Sequence, residues 1–73
     1  MPHIAVTMYP GRSDEIKSRF AAKLTEFVSE ELGVSPTAVS VSVEDIEKTD
    51  WEKHLASFDE KIMYVKEGKT LGR

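Results

Sequence analysis

Two short stretches of alternating apolar and small or polar residues, set either side of one long amphipathic stretch, constrain the fold of this chain most. His3-Ile4-Ala5-Val6-Thr7-Met8 puts Ile4, Val6 and Met8 on one face and His3, Ala5 and Thr7 on the other. Val39-Ser40-Val41-Ser42-Val43-Glu44 repeats the pattern, with the three valines on one face. Period-two alternation rich in branched side chains predicts a strand in each case. Between them, Ile16, Phe20, Leu24, Phe27, Val28 and Leu32 recur at helical spacing, with Ala21 thickening the stripe. Lys17, Arg19, Lys23, Glu26 and Glu30 fall on the opposite, solvated side. Ser13 is a good N-cap, Asp14 and Glu15 suit the positive end of the helix dipole, and Gly33 supplies a left-handed stop. The helix is therefore expected from Asp14 to Leu32, after a turn at Tyr9-Pro10-Gly11-Arg12. Residues 34–38 read as a connector with one short turn. Strand, helix and strand at this spacing make a βαβ unit with parallel strands and a right-handed crossover.

Thr49 and Glu52 then have capping-box spacing. Trp51, Leu55, Phe58, Ile62 and Val65 follow at steps of four, three, four and three, a stripe about four turns long. A C-terminal helix is expected there, ended by Gly68, with Lys69 to Arg73 as a loose tail. The fold class is thus α/β (α+β): one domain over 1–73, a βαβ unit plus a C-terminal helix. Such a unit is not self-sufficient. A two-stranded sheet is not stable alone, and a chain of 73 residues without cysteine has neither a large core nor a staple. Self-association that completes the sheet is the physical default.

A net charge of −3 argues against nucleic acid as partner, since phosphate binding needs a basic face. No apolar run approaches a membrane span, and the first residues lack the basic-then-apolar pattern of a secretory leader, so a cytoplasmic location is expected. His3 and His54 are too few for a metal site.

One position invites chemistry. Removal of Met1, for which a small second residue is the usual licence, leaves Pro2 with a free secondary amine. An amide-bonded proline has no N–H and no basic lone pair. A chain-terminal amine titrates at about 7.7–8.0 in reference peptides, and modest desolvation favours its neutral form. Such a group can take up a proton and return it.

Pro2 together with Gly11-Arg12-Ser13-Asp14-Glu15 resembles the 4-oxalocrotonate tautomerase family, and the likeness extends from Pro2 to about Trp51. The resemblance implies small βαβ subunits, an N-terminal proline as catalytic base and no cofactor. It also implies that Arg12 binds the substrate carboxylate and that Trp51 is the bulky aromatic walling the site. Many members carry a second arginine on the second strand; here Ser40 stands in its place, which argues against a diacid substrate. Ser40, Trp51 and the segment after it are more similar to a bacterial branch of dimers, so a homodimer is expected in preference to a hexamer. The implied activity is keto–enol tautomerisation of enolpyruvate or 2-hydroxydienoate-type monocarboxylates, with Pro2 as general base and acid. A dehalogenase or hydratase on the same scaffold is one alternative, and a non-catalytic oligomeric binding module another. Ser40 is a candidate donor to a substrate carbonyl, and Met8 and Tyr9 suit either pocket or core. His3 is expected to face solvent or a neighbouring subunit, and His54 to lie on a helix surface.

Overall fold

In the computed structural model, which describes residues 1–68, the two alternating stretches form β1 (His3–Met8) and β2 (Ser40–Asp45), joined through α1 (Asp14–Leu32). The strands pair in parallel, from His3 opposite Ser40 to Met8 opposite Asp45. The ladder extends beyond both ends: the Ser40 amide donates to the Pro2 carbonyl at 3.1 Å, and the Ile46 amide to the Met8 carbonyl at 2.8 Å. β2 begins one residue later than the alternation suggests. Val39 closes a 3₁₀ turn over Pro36–Ala38 and gives its amide to the Pro36 carbonyl instead of to β1.

The ends of α1 follow from its caps. The Ser13 hydroxyl accepts from the Ile16 amide at 3.3 Å. Gly33 takes a left-handed conformation (φ 68°) and returns its amide to the Ser29 carbonyl. Helix α1 packs over β2, with Ala21, Leu24 and Val28 half-buried on the same side as Ile4, Val6, Val41 and Val43. Lys17 departs from its expected solvated place: it is half-buried, and its ammonium lies 2.8 Å from the Asp45 carboxylate at the end of β2. A long lysine stem can lie along apolar surface while its head finds a carboxylate.

Two strands are too narrow a floor for the whole stripe of α1. Ile16, Phe20, Phe27 and Leu32 remain exposed, the last two at 61%. No described residue is fully buried.

The C-terminal helix is present but shorter than the stripe predicts: α2 spans Trp51–Ala56. The Ser57 hydroxyl turns back to the His54 carbonyl at 2.6 Å, and Asp59 caps a separate 3₁₀ turn over Glu60–Ile62, accepting from the Lys61 amide at 2.9 Å. Short polar side chains that bond the local backbone compete with helix continuation in this way. The capping box of Thr49 and Glu52 does not form either. Thr49 sits inside a 3₁₀ turn over Lys48–Asp50, and Asp50 stands at the N-cap without a side-chain bond. The tail expected at Lys69 to Arg73 lies outside the described residues. Among the described residues, no helix is long and apolar enough to cross a membrane.

Candidate active site

A cavity of about 470 Å³ opens at the C-terminal end of β1, between the first turns of α1 and the start of α2. That volume suits a small organic ligand. Met8 and Tyr9 supply the strand side, Ile16 and Phe20 the α1 side, and Trp51 the α2 side. Met8 and Tyr9 thus line the pocket.

Arg12 also lines this cavity. The turn that brings it there depends on Gly11, whose φ of 126° lies where L side chains are strained. Among the described residues Arg12 has no ion-pair partner, whereas Lys17, the other cation on the cavity wall, is neutralised by Asp45. Arg12 is the uncommitted positive charge, and its planar fork matches a carboxylate.

Trp51 is fixed by a run of rings. Tyr9 meets it edge-on at 5.1 Å between centroids, and the His54 ring lies 5.7 Å away, tilted at 44°. Phe58 in turn meets His54 edge-on at 5.2 Å. His54 is accordingly not an open helix-surface residue. It is half-buried, and its Nε2 lies 2.9 Å from the Thr7 hydroxyl, which seats α2 on the sheet face opposite α1. The indole N–H of Trp51 donates to Glu67 Oε1 at 3.3 Å, closing the outer wall.

Pro2 is elsewhere. It precedes β1, is half-buried, and has its carbonyl engaged by Ser40, with an 88% exposed Met1 in front of it. A six-residue strand separates it from the cavity, which is roughly 20 Å at about 3.3 Å per residue. Within one chain the structure brings Arg12 and Trp51 together, and it leaves Pro2 at the far end of β1.

Ser40 lies at Pro2's end of the sheet. Its hydroxyl is 2.7 Å from His3 Nδ1, and the Ser42 hydroxyl is 3.1 Å from His3 Nε2. His3 therefore bridges two serines on the exposed face of the sheet. Thr7, Ile16, Lys17, Phe20 and Glu67 are the cavity residues that sequence reasoning did not assign to the site. Lys17 carries a weak signal, a lysine one turn inside a cap, but Glu67 carries none, because the chain after Ala56 leaves the helix that its apolar spacing predicts. Among the described residues, no group of His, Asp or Glu side chains is placed to hold a metal ion.

The chain is similar in sequence and fold to known proteins. The family described as "Tautomerase enzyme" matches residues 2–54. A probable tautomerase of Xylella fastidiosa (strain 9a5c) is 43% identical over 51 residues, 70% of this chain and 62% of that protein. The match thus spans less than two thirds of that relative's length. The 2-hydroxymuconate tautomerase of Bacillus subtilis (strain 168) is 40% identical over 48 residues, 66% of this chain and 77% of the relative. Among solved structures, the crystal structure of YwhB, a homologue of 4-oxalocrotonate tautomerase, superposes with a TM-score of 0.62 at 38% identity. It covers 64% of this chain and 77% of its own.

Proposed function

The chain belongs to the tautomerase family, and from that premise we propose that it is a keto–enol isomerase of enolpyruvate or 2-hydroxydienoate-type monocarboxylates. The observation that carries the reading is the cavity where Arg12 and Trp51 meet at one end of β1's open edge, with Pro2 at the other end of the same edge. With Met1 removed, the Pro2 amine takes a proton from the enol oxygen and returns one to carbon. Arg12 holds the carboxylate, and Trp51 excludes water so that the amine stays neutral.

A second copy joins the two ends. β1 has β2 on one side and an unpaired edge on the other. Two identical edges related by a two-fold axis pair antiparallel. A register centred on Ala5 sets Pro2 of the partner subunit beside Met8 and hence at the mouth of the cavity. The surface supports the need for a partner: 6088 Å² is exposed, against roughly 4500 Å² for a compact monomer of this mass. With α2 seated on the second face of the sheet, we propose a homodimer.

The test is intact mass of the purified chain, followed on the same sample by ultraviolet assay of phenylenolpyruvate ketonisation. Expected are a mass without Met1, activity lost in Pro2→Ala, and a far larger loss in Arg12→Ala than in Ser40→Ala. A sample without Met1 that turns nothing over refutes the tautomerase reading and favours water addition or simple binding on the same scaffold. Full activity with Met1 retained refutes the role of the amine.

A further inference from the structure

The cavity carries a charge that the proposed proton transfer does not use. Glu67 lines it and is held there by Trp51, whose indole N–H occupies Oε1 at 3.3 Å. Glu67 lies beyond the residues 2–54 matched by the family, so it is a feature of this chain's own C-terminal segment. Among the described residues Glu67 pairs with no cation, just as Arg12 pairs with no anion. The remaining charge on the wall, Lys17, is cancelled by Asp45 at 2.8 Å. Among the described residues the cavity wall is therefore bipolar, with Arg12 and Glu67 both outside any ion pair, Glu67 also lining an adjoining pocket with Lys48, and the apolar surfaces of Phe20 and Trp51 beside them.

We infer that the cavity selects an acid with one carboxylate and, elsewhere on the molecule, a hydroxyl or other hydrogen-bond donor, from which Glu67 accepts while Arg12 holds the carboxylate. This inference rests on reading the cavity as the substrate site, and it names the substrate class: hydroxyaryl enol acids ahead of unsubstituted aryl acids, with diacids disfavoured. The physical reason is asymmetric. An ionised carboxylate accepts hydrogen bonds and cannot donate, so a distal hydroxyl satisfies Glu67. A second carboxylate brought against it finds a like charge beside apolar walls, where repulsion is less screened than in bulk water. Glu67 thus adds a repulsion against a diacid.

Trp51 is the sole tryptophan, so its fluorescence reports occupancy of the cavity without any catalytic turnover. The probes are three unreactive acids: 3-phenylpropionate, 3-(4-hydroxyphenyl)propionate and adipate. The native chain is expected to bind the hydroxylated acid several-fold more tightly than the plain one, and adipate most weakly. Glu67→Gln keeps an acceptor for the Trp51 N–H and removes the charge. In that variant adipate should gain roughly tenfold relative to 3-phenylpropionate, the scale of one like-charge contact at a partly solvated site. An adipate-to-phenylpropionate ratio that is the same in both proteins overturns the inference. So does a native chain that binds adipate best, or one whose fluorescence answers to none of the three. Because binding needs no Pro2 chemistry, selective binding without ketonisation refutes the tautomerase reading alone. Ketonisation with an unaltered ratio refutes the Glu67 role alone.

Discussion

If Pro2 and Arg12 of one chain serve different active sites, two inactive variants should rescue each other. The argument is geometric. Pro2 and the cavity lie at opposite ends of a six-residue strand, roughly 20 Å apart, far beyond the reach of about 3 Å that proton transfer requires. Pro2→Ala alone should lose about 10² to 10⁴ in turnover, the usual contribution of a positioned acid–base group. Arg12→Ala should lose about one to two orders of magnitude, the worth of a charge-assisted carboxylate contact. When the two variants are unfolded together in equal amounts and refolded, about half of the dimers are hybrids. Each hybrid has one site with both residues intact and one site with neither. Recovery should therefore approach about one quarter of native phenylenolpyruvate turnover. The samples must be shown by mass to lack Met1, and homogeneous refolded variants serve as the baseline. Recovery no greater than the sum of those baselines would place Pro2 and Arg12 in one site of one chain and refute the reasoning.

The fold offers further tests. Gly33→Ala meets no atom within 4 Å but must adopt a left-handed backbone at φ 68°, so it should cost about 1 kcal/mol and lower Tm by roughly 5 °C; an unchanged Tm in a thermal melt would contradict that end of α1. Asp45→Asn breaks the ion pair with Lys17, whose side chains are 19% and 38% exposed for lysine and aspartate respectively, so urea unfolding should show a loss of about 1 kcal/mol at most. A loss several times larger would mean that the assembly buries this pair. Phe27→Lys puts a charge on a side chain that is 61% exposed in the single chain, and sedimentation should show the dimer at least roughly tenfold easier to dissociate. An unaltered dimer would place the interface away from that flank of α1.

How legible these features were depended on how locally each is determined. The bounds of α1 are set by Ser13 and Gly33, within one turn of each end, and both act as their residue types predict. The strands follow from alternation that only one facing of the sheet can satisfy, and β2 slips by one residue because Pro36 opens a turn whose last bond takes the Val39 amide. The C-terminal stripe misled for a related reason. Apolar spacing from Trp51 to Val65 fits a helix, yet Ser57 and Asp59 bond the backbone beside them and end it after Ala56. Arg12 and Trp51 are expected at the site from the resemblance, and the fold places both on the wall of one cavity. Glu67 was not legible. Its place depends on where an irregular segment returns after α2, which no local pattern encodes.

The separation of Pro2 from Arg12 and the absence of a buried core among the described residues have one physical origin. A two-stranded sheet leaves β1 with a row of unpaired backbone groups along its outer edge, and that edge must be covered or paired. The cavity stands at one end of it and Pro2 at the other. On the proposed two-fold pairing, the bonds that satisfy the edge also carry each proline to the other chain's arginine. They also set a second α1 alongside the first, where Phe20 and Phe27 are exposed. That pairing leaves the outer edge of each β2 unpaired, and the other face of the sheet is already partly engaged. There α2 already occupies the end at Thr7, through His54 backed by Phe58, while His3, Ser40 and Ser42 satisfy one another at the opposite end. Those contacts engage the two ends of that face, whereas the β1 edge proposed for the pairing carries unpaired backbone groups that only another strand or a covering segment satisfies.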